Sequence, residues 1–557
     1  MSDTLSGELA HGFIVSILDA AILSWIALWW YRHSVRRFMT APARAAAPDD
    51  VAEAPHAAVE APARGLVVEW QVPARAMVPP LPPAWQAVAA AYIVGAIAHS
   101  AVVTIARTFE IWPVPPAAIA AVFWANLWPL VPVLALLLAL RWTQTLWLAV
   151  LFVVGGSLLV VVVTLAGQIV RGAFNTAPLT NIYWAIAQVV MTAYVPAFVL
   201  LLISRHRIRA VFAMTLAATL FFGVALIVFH RAAVGIFKVG ALTTLVLDLA
   251  ARTTSDVAYY STYMLLALPV GWIVWQVLRR LGGAYERKAF SDIQLVVDCW
   301  FVIVTMERIA MEMTAPYGVA GMAIGAGAFA AYRVSVEMML RIWPPVARVE
   351  SGSAPPRLLL LRVFGHQSRT ERLFDYIARQ WRFRGPVQLI AGADLAMRTV
   401  DPGDVLAFVQ GRLRNQYVAS LDEIPGRIAR LDMRPDPDGR FRINELYCLN
   451  DTWKTTLQAL LSVTDTVVMD VRGLSRQSRG CLYELQQIVP TIASDRIVLI
   501  ADRATDRPLL EETLGAAWAR GPRASSTAVT APIALVQVDR SSRGELGAVM
   551  QRLLRTQ

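Results

Sequence analysis

Lysine is almost missing from this chain. Of its 51 basic residues only Lys238, Lys288 and Lys454 are lysine, and the rest are arginine. No Lys/Arg run with interleaved aromatics occurs, so the net charge of +11 does not mark a nucleic-acid face. Cysteine is scarce too. Cys299, Cys448 and Cys481 are the full set, which excludes a disulfide framework, and their spacing is not that of metal ligands. No metal site is expected. Charge is also short: 16% of residues are charged, against about 25% in ordinary soluble domains. That deficit excludes a chain that is soluble throughout.

The composition is 57% hydrophobic with a mean hydropathy of +0.51. Apolar residues gather before about residue 345 and charges after it. Two classes of structure follow, an integral membrane part and a soluble part. Phe13 to Tyr31 is the first expected span. It lacks a basic leader, and Arg32, Arg36 and Arg37 follow it, so it is not a signal peptide and its amino end faces outward. Residues 41 to 83, rich in Ala and Pro, read as a flexible cytoplasmic linker. Further spans are expected at Trp85–Ala106, Ala117–Leu140, Leu146–Leu165, Ile182–Ile203, Val211–Phe229 and Tyr260–Leu278, each about long enough to cross a hydrocarbon core. Alternate threading puts Arg32, Arg141, Arg205, Arg207, Arg209 and the Arg279–Lys288 group on one side, the richer in cations. That side is the inside, which gives a multi-pass bacterial-type inner-membrane protein with its carboxyl terminus in the cytoplasm. Gly240–Ala250 reads as an interfacial helix. Ser291–Met313 and Tyr317–Leu340 form either a helical neck beneath the bundle or an extra membrane hairpin, and Asp298, Glu307 and Arg308 favour the neck. The expected domains are therefore residues 1–84, the first span and linker; 85–280, the bundle; 281–350, the neck or hairpin; and 351–557, a cytoplasmic α/β domain.

Polar groups inside spans are costly. Asp19 and His99 fall at similar depth, which makes them a candidate pair. Such a pair serves either as a proton- or ligand-responsive site or as a buried hydrogen bond that fixes packing.

After residue 356, apolar runs alternate with helical stretches. Strands are expected at Arg357–Val363, Pro386–Ile390, Thr466–Val471, Arg496–Ala501 and Ile533–Val538. Helices are expected at Glu371–Arg382, Asp404–Ser420, Asp451–Leu461, Pro508–Arg520 and Arg543–Leu554. The fold class is thus a membrane all-α bundle of about seven spans joined to a five-stranded parallel sheet covered on both faces. Between strands two and three, "RPDPDGRFRINELYC" has the spacing of part of a calcium loop, at Asp436, Asp438, Gly439 and Glu445. Arg434 occupies the first ligand position, however, so a β-hairpin turned at Asp438-Gly439 is expected.

The stretch "SVTDTVVMDVRGLSRQSRGCLYELQQI", Ser462 to Ile488, carries the chemistry. A buried strand, a polar loop and a helix bearing Glu484 lie where open α/β sheets place their ligands, at strand carboxyl ends. "LLSVTDTVVMDVRGLSRQSRGCLYEL" resembles the third-strand region of Toll/interleukin-1 receptor (TIR) domains. "GPVQLIAGADLAMRTVDPGDVLAFVQGRL" is similar to the TIR segment that leads through Pro-Gly-Asp to a helix. The resemblance covers about residues 357–557 and departs at "RVFGHQSR" and at the inserted hairpin. It implies a flavodoxin/TIR-like sheet and a signalling or defence role. In glycohydrolase members it implies a catalytic glutamate at Glu484, with NAD as substrate rather than a bound cofactor. A carboxylate there would stabilise the positive charge that develops on ribose when an N-glycosidic bond breaks. Arg369 would hold phosphate bidentately, and Ser475 and Ser478 would bond ribose hydroxyls. Gly365, His366, Asp394 and Arg472 complete the candidate binding residues.

Three readings stand beside one another. Glu484 cleaves a nucleotide, or it only complements the helix dipole while the domain works as a non-catalytic, self-associating assembly module. "DTVVMDVRG" also resembles the third strand of phosphoacceptor receivers, with Asp470 as acceptor. "VFGHQ" lacks the acidic pair such domains need after strand one, and "VDRSS" lacks their lysine after strand five. Expected partners are the lipid bilayer, a small nucleotide and further copies of the chain.

Overall fold

The computed structural model describes residues 2–40, 66–71, 83–110, 114–137, 142–171, 209–235, 255–345 (except 319), 354–362, 373–391 (except 375 and 379), 402–412, 414, 417–449, 452–521, 532–539 and 542–555. The chain divides into two compact units. The first comprises Met1–Arg32, Ala87–Pro344 and Thr399–Gly411. The second comprises His33–Gln86, Pro345–Arg398 and Arg412–Gln557.

The first unit is helical: α1 (Ser2–Thr40), α2 (Pro83–Glu110), α3 (Pro116–Asn126), α4 (Leu130–Leu137), α5 (Trp142–Arg171), α6 (Arg209–Gly235), α7 (Ser255–Glu286), α8 (Asp292–Arg308) and α9 (Ala320–Ile342). Among the described residues, four stretches are long and apolar enough to cross a membrane: Gly7–Arg37, Trp85–Phe109, Thr143–Ile169 and Met264–Glu286. The bent pair α3–α4 would make a fifth. Pro132 sits in the first turn of α4, where its ring cannot continue the preceding helix, and the two axes differ by 41°. The span expected at Ala117–Leu140 is therefore broken. Val211–Phe229 lies within α6, whose shorter apolar helix is Ala213–Phe229. The span expected at Ile182–Ile203 and the interfacial helix at Gly240–Ala250 lie outside the described residues. Apolar side chains cover faces that no described residue buries. Trp147, Leu151, Leu158 and Ile169 on α5, and Met264, Leu268 and Trp272 on α7, are all exposed. In water such surface would drive aggregation, whereas in lipid it is the natural exterior.

The segment expected as a helical neck or an extra membrane hairpin is a pair of helices. α8 continues through a π-helical turn, Ile309–Met313, and a short turn, Thr314–Tyr317, into α9. This hairpin runs alongside α2. Gly95 lies against Tyr332 and Val336, Val103 clusters with Met313 and Ala328, and Tyr317 donates to the Ala106 carbonyl. The charges that suggested a neck are managed internally: the Asp298 carboxylate accepts from Tyr332 Oη (2.8 Å) and Arg333 (2.9 Å).

The helix expected at Asp404–Ser420 is shorter, α10 (Pro402–Val409), and Gly411 ends it at φ +70°. It belongs to the helical unit. Leu406 is buried with Met214 of α6 and Leu295 of α8, flanked by Leu281 and Tyr285 of α7. Phe408 stands edge-on to Trp30 and Tyr31 of α1, at 5.3 and 5.8 Å. Gln410 donates to the Arg279 carbonyl. Three helix ends that charge counting places on one side, those near Arg32, Arg209 and Arg279, thus gather around α10.

The second unit is one parallel sheet of eight strands rather than five. They are β1 (Val68–Gln71), β2 (Leu358–Arg362), β3 (Val387–Ala391), β4 (Tyr417–Val418), β5 (Ile443–Cys448), β6 (Thr466–Asp470), β7 (Ile497–Ala501) and β8 (Ile533–Gln537), in the order β1-β8-β7-β6-β2-β3-β5-β4. The five expected strands are present as β2, β3, β6, β7 and β8. Side chains alternate between two buried layers. Leu359, Leu361, Val467 and Met469 face α12 (Trp453–Leu461), α13 (Arg479–Thr491) and α14 (Arg507–Ala519). Leu358, Leu360, Val468 and Val498 face Leu373, Ile377, Trp381 and α15 (Arg543–Arg555). Each such side chain contributes about 1.5–3 kcal/mol by leaving water, and a one-residue slip would exchange the layers.

Two corrections concern the edges. The insert between β3 and β6 adds parallel strands β4 and β5 and the short helix α11 (Ile424–Ala429). Its antiparallel content is a single bridge, Pro435 to Phe441, closed by a turn with Gly439 at φ +77°. At the other edge, the stretch read as flexible linker supplies β1. Val68 to Gln71 pair with Ile533 to Val536, Leu66, Val68 and Trp70 pack on the core, and the Arg507 guanidinium lies 3.8 Å over the Trp70 ring.

Candidate functional site

In this strand order the chain reverses direction between β2 and β6. β3, β4 and β5 lie to one side, and β7, β8 and β1 to the other. The crevice beyond the carboxyl ends of β2 and β6 is where a doubly wound sheet accepts ligands. Arg362 and Asp470 are opposed there in register.

The loop after β6 is built from its own polar groups. Arg472 Nε and Nη2 donate to Asp470 Oδ1 (2.8 Å) and Oδ2 (2.7 Å), and both side chains are buried. Residues two apart on an extended chain point the same way, so the pair closes a bidentate fork. Arg472, a candidate binding residue, is thus engaged by Asp470 in the structure. Its guanidinium is paired with the Asp470 carboxylate at the end of a buried strand. Gly473 follows at φ +69° and donates its N–H to Asp502 Oδ1. Thr505 donates to the Val471 carbonyl, and the Asp506 N–H to that of Leu474. The loops after β6 and β7 are thereby laced together.

Ser478 precedes α13 without capping it through its side chain, and its hydroxyl accepts from the Ser475 N–H at 3.4 Å. Both serines are half-buried. Glu484 sits in the second turn of α13 and is only 4% exposed, so it lies inside the rim rather than on it. Burial pushes the Cys481 thiol well above its ordinary pKa, and the charges of Glu484 and Asp470 add to the shift. A thiol in the first turn of a helix is normally acidified by the dipole. Here burial and two carboxylates reverse that, so Cys481 is a core thiol and not a nucleophile. Asp470, Cys481 and Glu484 are thus electrostatic neighbours beneath the crevice. Gly365, His366, Arg369 and Asp394 lie outside the described residues.

The acidic turn of the insert is not open to a cation. Asp438 is held by Arg440 (Nε to Oδ2, 2.8 Å) and Asp436 by Arg442 (2.9 Å). Each carboxylate already has its counter-charge.

In the helical unit, the expected Asp19–His99 pair does not form. His99 is buried and its Nε2 lies 3.2 Å from Thr305 Oγ1 of α8. Its ring stands edge-on to Phe301, which stacks on Tyr332, and its Nδ1 has no partner. One residue on, Ser100 turns toward α3 and donates to the Asn126 carbonyl. Asp19 is exposed. Matching depth along two helices does not fix rotation about either axis, and rotation sends these residues to different neighbours. The Asp298–Tyr332–Arg333 cluster is the polar feature the sequence reading missed. Its signal was an Asp on one helix and a Tyr-Arg pair on the next.

No family model matches the chain, and no curated protein or solved structure matches it.

Proposed function

We propose that this is a membrane-anchored signalling or defence protein whose α/β domain binds a nucleotide such as NAD at the crevice between β2 and β6. The observation that carries the reading is the reversal of strand order at that crevice, with the carboxylate of Glu484 beneath it. If the bound nucleotide is cleaved, Glu484 is the group that stabilises the ribosyl cation. The helical unit anchors the domain. The basic helix ends around α10 mark their end of the helical unit as the cytoplasmic one.

A second reading is favoured by two observations, the burial of Glu484 and the commitment of Arg472 to Asp470. In it the domain self-associates without chemistry. The deciding experiment incubates the full chain in detergent with NAD and follows nicotinamide release, for the protein as it stands and for Glu484→Gln. Release abolished by the substitution supports cleavage. Equal release from both removes Glu484 from the chemistry. No release and no NAD binding by calorimetry, together with concentration-dependent oligomers, establishes the assembly reading.

A further inference from the structure

Asp19 has no counterpart among the described residues of its own chain. It lies at the middle of the apolar stretch of α1, in the candidate span Gly7–Arg37, and it is exposed. It makes no hydrogen bond or ion pair with any described residue. Around it Val15, Leu18, Ile22, Trp25, Ile26 and Trp29 are exposed as well. Lipid accounts for the apolar side chains but not for a carboxylate, which is too short to reach either interface from that depth and is costly to leave in hydrocarbon without a polar partner.

The exposed arc contains the series Val15, Asp19, Ile22, Ile26, Trp29, with spacings of 4, 3, 4 and 3. That is the seam of a helix packed lengthwise on a second helix, with the polar residue inside the seam. We propose that this face of α1 docks a transmembrane helix of another protein, one that carries a lysine or arginine in the layer of Asp19. The argument is charge complementarity. A second copy of the chain does not supply it, because parallel self-pairing along the seam sets Asp19 against Asp19, and two carboxylates in one layer cannot both ionise. The exposed described spans Thr143–Ile169 and Met264–Leu278 of a copy contain no cation to offer. Arg308 is buried, and Arg333 is engaged by Asp298 and Glu337. The basic group nearest along α1 is His11, eight residues or about 12 Å up the axis.

The test uses the full chain in phosphatidylcholine vesicles with a donor fluorophore at its amino terminus. The probe is a synthetic leucine-alanine helix of about 20 residues with an acceptor at the matching end and one central Lys. The control helix has Leu in its place. The Lys helix is expected to associate about tenfold more tightly than the Leu helix. That preference should vanish in Asp19→Leu, and Asp19→Lys should instead select a helix with a central Asp. Equal association of both probes with the unaltered chain overturns the proposal, as does a preference that survives Asp19→Leu or a failure of the reversed pair. Rapid disulfide dimers of an Ile22→Cys chain in the same vesicles also overturn it, since a second copy would then cover the face.

Discussion

Replacing Arg472 by methionine keeps most of its volume and removes its charge. Asp470 would then be a buried carboxylate that has lost the two guanidinium bonds, of 2.8 and 2.7 Å, and keeps the one from the residue-472 N–H. The buried pair is 4% and 3% exposed, so water cannot replace the guanidinium without opening the strand end. Removing one partner of such a pair costs about 3–5 kcal/mol. Removing both, in Asp470→Leu/Arg472→Met, should recover most of that loss, because the uncompensated charge goes with them. Cys448 and Cys481 are buried in this domain and report its opening. Urea-dependent alkylation of the full chain in detergent, read thiol by thiol, should show the single variant opening at about 2 M less urea than the parent, with a slope of about 2 kcal/mol per M. The double variant should lie between the two. A single variant within about 0.3 M of the parent on the same slope, or a double variant less stable than the single one, would refute the assignment of Arg472 to charge balance.

Two other outcomes follow from local geometry. Gly411 and Gly439 both have positive φ, at +70° and +77°, so alanine at either strains the backbone by about 1–2 kcal/mol. A Cβ at Gly411 meets open space, while at Gly439 it would lie 2.8 Å from the Pro345 carbonyl oxygen. Gly439→Ala should therefore cost clearly more than Gly411→Ala in thermal melts, and equal costs would mean that the turn relaxes freely. Burial pushes the Cys448 thiol from 9.0 up to about 11. The unfolded thiol loses its proton first as pH rises, so folded stability should hold below pH 9. Between pH 9 and 11 it should fall by about 1.4 kcal/mol per unit. A Cys448→Ala chain should lack that component in denaturant titrations across the same window, and an unchanged slope would place the titrating group elsewhere.

The two classes of structure and the five central strands were legible in the sequence. A span needs only length and apolarity, and a strand buried on both faces needs only an unbroken run such as Val467–Met469 with turn residues beyond it. Charge counting also grouped the helix ends that meet at α10, because a loop's basic residues mark its side of the membrane whatever the packing. Tertiary structure alone decided the rest. Val68–Gln71 is four residues in a stretch rich in alanine and proline, and it is a strand only because β8 offers an unpaired edge. α10 reads as one more covering helix of the sheet, yet Leu406 and Phe408 find deeper burial among the ends of α1, α6 and α7. Asp19 and His99 share a depth, but rotation about each helix sends one toward Thr305 and the other outward. Periodicity specifies which face of an element is apolar, and the partner that covers that face is chosen by every other element competing for it.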